Sequence, residues 1–304
     1  MTHIASTDTT GIDRTEPVSI ELVVGPRFRP LGGLQVNRVW PTARRRLIGP
    51  FIFFDHMQRA ELPPGQGIDV PPHPHIGLAT VTYLFEGEMV HRDSLGYEQT
   101  IAPRELNWMN AGSGIVHSER SGEAERARRS SVHGIQAWVA LPREHEDMAP
   151  TFVHHSADQL PLIEREGVSL RLIAGQAFGA KSCIDTLSEL FYVEADLIGG
   201  AELALSVQLG ERAAYVVSGA VQVDAAHYQA GKLLVFHAGK EVVINSLGAS
   251  KLMLFGGKKF KHDRFVWWNF VSSSSERIER AKRCWKAGDF DKVPGDDGFM
   301  PLPE

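Results

Sequence analysis

Two pairs of potential metal ligands with the same spacing lie in the first half of the chain. His73 and His75 are one residue apart at the start of a predicted strand, and His117 and Glu119 repeat this spacing on a later strand. Side chains at positions i and i+2 of a strand leave the same face of a sheet. If the two strands are neighbours, four ligand-type side chains converge inside one domain.

The donor types indicate what such a site would bind. Three imidazoles and one carboxylate suit one borderline divalent ion such as Fe, Ni, Cu, Mn or Zn, and octahedral coordination would leave two positions open for water or a substrate. This pattern is typical of a catalytic or sensing site, not of a closed structural one. A lone strand histidine is more often a hydrogen-bonded core or surface residue, so the prediction depends on the two pairs together.

The segment that carries these residues reads as an antiparallel β-domain. Between residues 20 and 115, short β-branched and aromatic runs are separated at intervals of about 8 to 12 residues by Gly, Pro, Asn or Asp, which is typical of a sandwich or barrel. Residues 78–85 (LATVTYLF) form the clearest strand. The proline- and glycine-rich residues 58–72 predict a long loop immediately before His73.

The second half of the chain repeats the first. Residues 83–87 (YLFEG) match residues 215–219 (YVVSG) at an offset of 132, from Tyr83 to Tyr215, and residues 110–112 resemble residues 237–239 at an offset of 127. These offsets place Leu205, Val207, Ile244 and Ser246 where the first half has its four candidate ligands. The sequence therefore predicts two similar barrels, of which the second is metal-free.

One helix follows the second barrel. Ser273 and Glu276 form a predicted capping box, Gly288 ends the helix, and apolar residues recur at helical spacing between them, namely Ile278, Ala281 and Trp285. We expect this helix to brace the two barrels.

The predicted fold is therefore all-β, with two antiparallel β-barrels and a C-terminal helix. Its parts are a flexible N-terminal tail (1–17), a metal-binding barrel (18–145), a linker (146–165), a metal-free barrel (166–262), and a C-terminal helix with an extended tail (263–304).

The composition excludes several classes of protein. The chain has 304 residues, two cysteines and a formal net charge of -5; its size permits a core without disulfides. It lacks both a run of about 18 apolar residues and a secretory signal pattern, so we expect no membrane association and a cytoplasmic location. The charge balance predicts no direct nucleic-acid binding, and the small basic run at Arg126, Arg128 and Arg129 is interpreted as a solvated loop.

Other histidines rank below the two pairs. His91 could reach the metal pocket, but an outward position on its strand is the favoured interpretation. His56 has two interpretations, a wall of the metal cavity or a hydrogen-bonded loop residue. His154 and His155 are adjacent on an extended chain and point to opposite sides, which argues against chelation.

Four segments carry a family resemblance. Residues 73–96 (HPHIGLATVTYLFEGEMVHRDSLG), 107–119 (NWMNAGSGIVHSE) and 133–142 (HGIQAWVALP) resemble the pirin family of the cupin superfamily, and residues 265–290 resemble the ending of its bacterial members. The resemblance implies a bicupin of two jelly-roll barrels, with Fe(2+) bound in the first by the residues matching His73, His75, His117 and Glu119. Many cupins and pirins carry Glu four residues after the second of these histidines, where this chain has Ala79. Because that Glu is not a ligand in pirins, the departure concerns the surroundings of the metal.

The resemblance to bacterial pirins implies an iron-dependent quercetin 2,3-dioxygenase. A flavonol, or another small aromatic substrate, would take an open position on the metal, with Glu119 as a ligand and as the base for its hydroxyl proton. The alternative, which the resemblance also implies, is a non-enzymatic protein whose metal or redox state controls binding to a transcription factor or metabolic enzyme. The sequence is compatible with both.

Overall fold

In the computed structural model of the chain, residues 18–303 are described, and the predicted flexible tail (1–17) lies outside the described residues. The first half contains, in chain order, the strands β1 (Ile20–Val24), β2 (Arg27–Leu31), β3 (Leu34–Trp40), β4 (Phe51–Leu62), β5 (Asp69–His75), β6 (Leu78–Glu86), β7 (Met89–Asp93), β8 (Glu98–Ile101), β9 (Leu106–Asn110) and β10 (Ile115–Arg120), the short helix α1 (Glu123–Ala127), and the strands β11 (Ser130–Ala140) and β12 (Thr151–His155).

The second half is built in the same way. Its elements are the strands β13 (Leu162–Arg165), β14 (Val168–Ala177), β15 (Ala180–Lys181), β16 (Leu190–Leu197), β17 (Glu202–Leu205), β18 (Glu211–Ser218), β19 (Ala220–Val223), β20 (Ala226–Gln229), β21 (Leu233–Phe236), β22 (Val242–Ser246), β23 (Ser250–Gly257), β24 (Phe265–Trp267) and β25 (Phe270–Ser272), followed by the helix α2 (Ser275–Ala287). Single 3-10 turns lie at Arg143–His145, Ala157–Gln159 and Val207–Leu209.

Each half forms a large antiparallel sheet and a small one. In the N-terminal half the orders are β12-β9-β6-β11-β4-β3-β2 and β5-β10-β7-β8; in the C-terminal half they are β1-β21-β18-β23-β16-β14-β13 and β17-β22-β19-β20. The two halves thus share one strand order, as the predicted duplication requires. Two facing sheets are the jelly-roll arrangement, but the hydrogen-bonded ladders of the described residues form separate open sheets and do not by themselves show closed barrels.

Sheet membership crosses the predicted domain limits at three strands. β1, from the start of the predicted first barrel, pairs with β21 of the C-terminal half. The predicted linker supplies an edge strand to each large sheet, because β12 pairs with β9 and β13 pairs with β14.

The large sheets pack face to face, which explains their apolar strands. One core cluster takes members from both sheets, and Phe54 of β4 stacks on Phe255 of β23 with ring centroids 4.8 Å apart. The central strand β6 is buried along residues 78–84, since one face lines the N-terminal domain and the other meets the C-terminal domain. Strands covered on both faces read as continuous apolar runs rather than alternating ones.

Two tyrosines mark the pseudo-twofold relation across this interface. Tyr83 and Tyr215 occupy the same place in β6 and β18, opposite Ile135 and Met253 respectively. The hydroxyl of Tyr83 donates to Glu194 Oε2 over 2.6 Å, and that of Tyr215 lies 2.8 Å from His56 Nδ1.

The C-terminal helix forms where the sequence predicts it, with Gly288 at φ 79° as its C-cap. Its buried face packs on Ile76 and Val116 beside the small N-terminal sheet, so it braces that domain rather than both. The predicted capping box is wrong: Ser274 is the N-cap, while Ser273 Oγ donates to the buried carboxylate of Glu146 over 3.1 Å.

The tail after the helix lies along the N-terminal domain. Trp285 Nε1 donates to the carbonyl of Met300 over 2.9 Å, and Asp296 forms an ion pair of 2.7 Å with Arg120 of β10. No helix among residues 18–303 is both long enough and apolar enough to cross a membrane.

The predicted loop at residues 58–72 is mostly strand. β4 runs to Leu62 and β5 begins at Asp69, so only 63–68 lie between them. Pro71 and Pro72 form a bulge in β5, because His73 pairs with His117 and Val70 pairs with Glu119. β5 is the edge strand of its sheet, where the missing N–H groups of proline are tolerated.

Candidate metal centre

The two predicted histidine-bearing strands are neighbours. β5 pairs antiparallel with β10, and His73 lies directly opposite His117. His75 follows on the same face two residues later, as the strand period requires. The opposite face of β10 carries Val116, which packs against the C-terminal helix.

Three of the four predicted ligands come together. The ligand atoms of His73, His75 and His117 all lie within 4.8 Å of one another. His75 Nε2 is 3.1 Å from His117 Nε2, and the rings of His73 and His117 are 4.4 Å apart between centroids. All three residues are buried, with 6%, 1% and 1% of their surface exposed.

The fourth, Glu119, lies in the same interior but outside that group of three. Its Oε1 is 3.3 Å from Thr82 Oγ1 and 3.4 Å from Gln136 Nε2, on β6 and β11 of the facing sheet. These are long contacts, and the Thr82 hydroxyl has a shorter one, 2.7 Å, to Gln136 Oε1. Glu119 is therefore buried but weakly held.

Burial sets the charge states of the cluster. It lowers the pKa of His73 to about 4 and the pKa values of His75 and His117 well below the ordinary 6.5. Burial also raises the pKa of Glu119, against the opposing effects of His91 and the hydrogen bonds from Thr82 and Gln136. At neutral pH the imidazoles are uncharged, which is the form that binds metals.

One ligand tautomer is fixed by the backbone. His73 Nδ1 lies 2.9 Å from the carbonyl oxygen of Pro71 in the β5 bulge, so it carries the proton and leaves the Nε2 lone pair free. Neutral nitrogen donors converge with a buried carboxylate nearby, and this donor set fits a divalent transition metal.

His91 points into the interior, which is the less favoured of its two interpretations. It is 4% exposed, and its Nδ1 lies 3.3 Å from His117 Nδ1. Its Nε2 lies 2.9 Å from Oδ2 of the fully buried Asp93. The pair H-x-D on β7, at the same i, i+2 spacing as the ligands, was the signal that could have located both residues in the interior.

His56 belongs to the domain interface, not to the metal cavity. It lies in strand β4, with Nδ1 against the Tyr215 hydroxyl and Nε2 2.8 Å from His133 Nε2. The interpretation as a hydrogen-bonded residue is therefore correct, although a strand replaces the expected loop.

The remaining candidate residues form hydrogen bonds or ion pairs away from the histidine cluster. His154 and His155 turn to different partners, Asn107 and Cys183. The basic run is neutralised locally, since Arg126, Arg128 and Arg129 pair with Asp69, Glu125 and Glu61.

The C-terminal domain has apolar residues at the corresponding places. In the β17–β22 ladder Leu203 pairs with Ile244 and Leu205 with Val242, as His73 pairs with His117 and His75 with Ile115. The counterparts of His73 and His75 are therefore Leu203 and Leu205, which corrects the predicted Leu205 and Val207. Both leucines and Ile244 belong to the C-terminal core cluster.

An aromatic wall closes one side of the cluster. Trp138 of β11 meets His75 edge-on at 5.2 Å between ring centroids, and Phe53 stacks on Trp138 at 3.9 Å. The indole Nε1 of Trp138 is buried without a hydrogen-bond partner among the described residues. A buried donor left unpaired is uncommon and suits a ligand oxygen.

Comparison with protein families matches both halves of the chain. The family described as Pirin matches residues 33–139, and the family described as the Pirin C-terminal cupin domain matches residues 192–291.

Individual proteins agree with these matches. A pirin-like protein of Caulobacter vibrioides is 50% identical over 289 residues, which cover 94% of this chain and 100% of the relative. Pirin of Rattus norvegicus is 30% identical over 82% of this chain and 85% of its own length. The crystal structure of quercetin 2,3-dioxygenase from Acinetobacter baumannii aligns with a TM-score of 0.86 and 30% identity, covering 93% of this chain and 95% of that chain.

Proposed function

Because the chain belongs to the pirin family and has two cupin domains, we propose that it is a metal-dependent dioxygenase acting on a flavonol such as quercetin. The observation that carries the proposal is the buried group of three neutral histidines, whose ligand atoms lie within 4.8 Å of one another. The structural relative from Acinetobacter baumannii, a quercetin 2,3-dioxygenase, supports the choice of reaction.

The proposed ligands are His73, His75, His117 and Glu119. Glu119 would complete the set by turning from Thr82 and Gln136, whose contacts of 3.3 and 3.4 Å hold it loosely. We propose Fe(2+) as the ion, with Ni, Cu, Mn and Zn as the alternatives that a metal analysis decides. A bound divalent ion would supply Lewis acidity to a substrate oxygen.

The protein's own residues supply the rest of the chemistry. Glu119 accepts the substrate hydroxyl proton, a role that its raised pKa favours because the carboxylate is a stronger base than an exposed one. The indole N–H of Trp138 donates to a substrate oxygen, and the rings of Trp138 and Phe53 form the apolar wall for an aromatic substrate. Burial of the histidines excludes bulk water from the reaction.

The architecture belongs to the same proposal. We propose that each half closes into a jelly-roll barrel, with folding units at 18–145 and 166–262 and the metal confined to the first, and that the protein works in the cytoplasm.

One observation favours a second candidate, a metal-dependent regulatory protein that binds another protein. The histidines are at most 6% exposed, and a cavity of about 570 Å³ lies elsewhere, in the C-terminal domain around Phe191 and Lys258. A flavonol therefore has to reach a buried metal, whereas a regulatory metal needs no such access.

Measuring flavonol turnover at a known metal content distinguishes the dioxygenase from the regulatory protein. Elemental analysis is expected to give about one equivalent of metal per chain, and the Fe(2+)-loaded protein is expected to consume quercetin and dioxygen in parallel. The double variant His73→Ala/His117→Ala should lose both metal and turnover, while His154→Ala/His155→Ala, which alters two histidines outside the cluster, should keep both. A metal-loaded wild type that leaves a series of flavonols unchanged would favour the regulatory candidate.

A further inference from the structure

A buried carboxylate and imidazole lie behind one of the proposed ligands. Asp93 and His91 are on β7, which pairs with β10 so that Asp93 lies opposite His117 and His91 opposite Glu119. Their side chains form a chain of contacts: Asp93 Oδ2 to His91 Nε2 over 2.9 Å, and His91 Nδ1 to His117 Nδ1 over 3.3 Å. His117 Nε2, at the other end of its ring, faces His75.

The fold itself does not require these two residues. In the C-terminal domain Val223 and Val221 stand opposite Ile244 and Ser246, the places held by Asp93 and His91 in the first domain. Both valines are fully buried. A cupin domain of this chain thus folds with an apolar pair there, and the polar pair accompanies the histidine cluster.

The hydrogen bonds around Asp93 determine where each proton lies. Asp93 Oδ1 accepts from the backbone N–H of Leu95 over 2.9 Å and of Tyr97 over 3.2 Å. Oδ2 is left to accept from His91 Nε2–H. With His91 in its neutral form, Nδ1 presents a lone pair, and His117 then carries its proton on Nδ1. The lone pair of His117 is thereby placed on Nε2, the atom that faces the cluster.

From this chain of contacts we propose that Asp93 and His91 are positioning residues that hold His117 in the tautomer able to bind a metal. The proposal rests on the proposed function for the metal itself, but the tautomer assignment applies to the metal-free protein as well. It also gives His117 the same free atom, Nε2, that the Pro71 carbonyl gives His73. A carboxylate or carbonyl behind a ligand histidine typically changes metal affinity by about 10- to 100-fold.

The variant Asp93→Asn tests the proposal sharply because its orientation is fixed. The backbone donors of Leu95 and Tyr97 hold the amide oxygen at the Oδ1 position, so the amide nitrogen faces His91. That N–H donates to His91 Nε2, which moves the His91 proton to Nδ1 and the His117 proton to Nε2. The change keeps the volume of the side chain yet blocks the ligand atom.

Two measurements on the full chain follow. Nitrogen-15 NMR of the histidine rings in the metal-free wild type is expected to show the His117 proton on Nδ1 and the His91 proton on Nε2, and Asp93→Asn should reverse both. Competition with a chelator should show Co(2+) binding weakened by about 10- to 100-fold in Asp93→Asn. Glu98→Gln, which also changes a carboxylate to an amide but at an exposed residue paired with Arg92, should alter neither the histidine tautomers nor the Co(2+) affinity.

The outcomes separate this proposal from the proposed function. The proposed positioning of His117 by Asp93 and His91 is overturned, even if metal binds, by either of two results. One is a wild-type His117 that carries its proton on Nε2, and the other is an Asp93→Asn variant with unchanged tautomers. Unchanged Co(2+) affinity with reversed tautomers also overturns the positioning role. If the wild type binds no metal while its tautomers are as expected, the proposed function fails and the proton arrangement stands. The wild-type spectrum decides the assignment even if the variant does not fold.

Discussion

The inner walls of the two domains differ although their strand order is the same. In the large sheet of the N-terminal domain, three polar residues occupy paired positions, namely Thr82, Asn107 and Gln136. The equivalent positions of the C-terminal domain are apolar, namely Ala214, Leu234 and Leu254. The difference extends to the small sheets, where His73, His91, Asp93 and His117 correspond to Leu203, Val221, Val223 and Ile244.

This comparison shows which residues serve the fold and which serve the site. An apolar interior gains free energy from burial, whereas each buried polar group must recover its desolvation cost through hydrogen bonds. The C-terminal wall has one large polar member, Arg212, whose guanidinium donates to the carbonyls of Leu205, His237 and Lys240. The N-terminal interior gathers its polar groups around the histidines, which indicates that they are retained for the site.

The largest expected effect is the loss of metal binding when the three cluster histidines are replaced by the residues at the equivalent positions of the C-terminal domain. The triple variant His73→Leu/His75→Leu/His117→Ile should bind no detectable metal. The metal-free variant should be as stable as the metal-free wild type or more stable by about 1–3 kcal/mol, because buried neutral polar groups are replaced by apolar ones. Elemental analysis and thermal unfolding with chelator present measure the two effects.

The comparison would be broken if the triple variant kept a full equivalent of metal, which would place the ion elsewhere. A variant that folds only with difficulty would show that the histidines serve the N-terminal core. Leu203→Ile, an exchange of similar volume in the C-terminal domain, is the control and should leave metal content unchanged.

The second effect concerns acid and the position of His56, which is equivalent to that of Glu194 because His56 pairs with Ile135 as Glu194 pairs with Met253. Burial lowers the pKa of His56 to about 3, so the folded protein holds it neutral while the unfolded chain protonates it near pH 6.5. The unfolded state binds more protons between these values, and stability falls as the pH falls. Between pH 6.5 and 5 the loss is about 2 kcal/mol.

Urea unfolding of the metal-free protein at several pH values measures this loss. His56→Phe should reduce the acid sensitivity by about the same 2 kcal/mol, whereas His262→Gln, at an exposed histidine, should not. Equal slopes for His56→Phe and wild type would show that His56 is already protonated in the folded protein.

These features were predictable from the sequence to different degrees. The i, i+2 spacing located His73, His75 and His117, because the strand period fixes the face of a side chain once the strand is recognised. For His91 the sequence favours the wrong one of two interpretations, because its face relative to β10 depends on the register between strands, which local pattern does not specify.

The duplication shows a similar limit. The offset of 132 is correct for Tyr83 and Tyr215 in β6 and β18 but fails in β5. The copy inserts the 3-10 turn Val207–Leu209 between its corresponding strands, which moves the counterparts of His73 and His75 by two residues. The predicted loop at 58–72 failed for another reason: an edge strand accepts Pro71 and Pro72 in a bulge.

The third effect tests Glu119 as the anionic ligand and base. Glu119→Gln keeps the size and an oxygen donor but removes the negative charge and the basicity. We expect it to retain some metal and to lose flavonol turnover at least tenfold, a barrier increase of about 1.4 kcal/mol. Turnover rates at matched metal occupancy, with Glu98→Gln as the exposed control, check this, and full activity of Glu119→Gln would show that the carboxylate is not the base.

The smallest effect compares the two interface tyrosines, which the duplication places at equivalent positions. Tyr83 donates to the carboxylate of Glu194, whereas Tyr215 contacts the neutral imidazole of His56. A hydrogen bond to a charged group contributes about 1.5–3 kcal/mol and one between neutral groups about 0.5–1.5 kcal/mol. Tyr83→Phe should therefore lower the free energy of unfolding by about 1 kcal/mol more than Tyr215→Phe. Urea unfolding at pH 7.5 measures the difference. Equal losses would mean that the ion pair of Glu194 with Lys251 already satisfies the carboxylate, and that the two halves of the interface are energetically as well as geometrically equivalent.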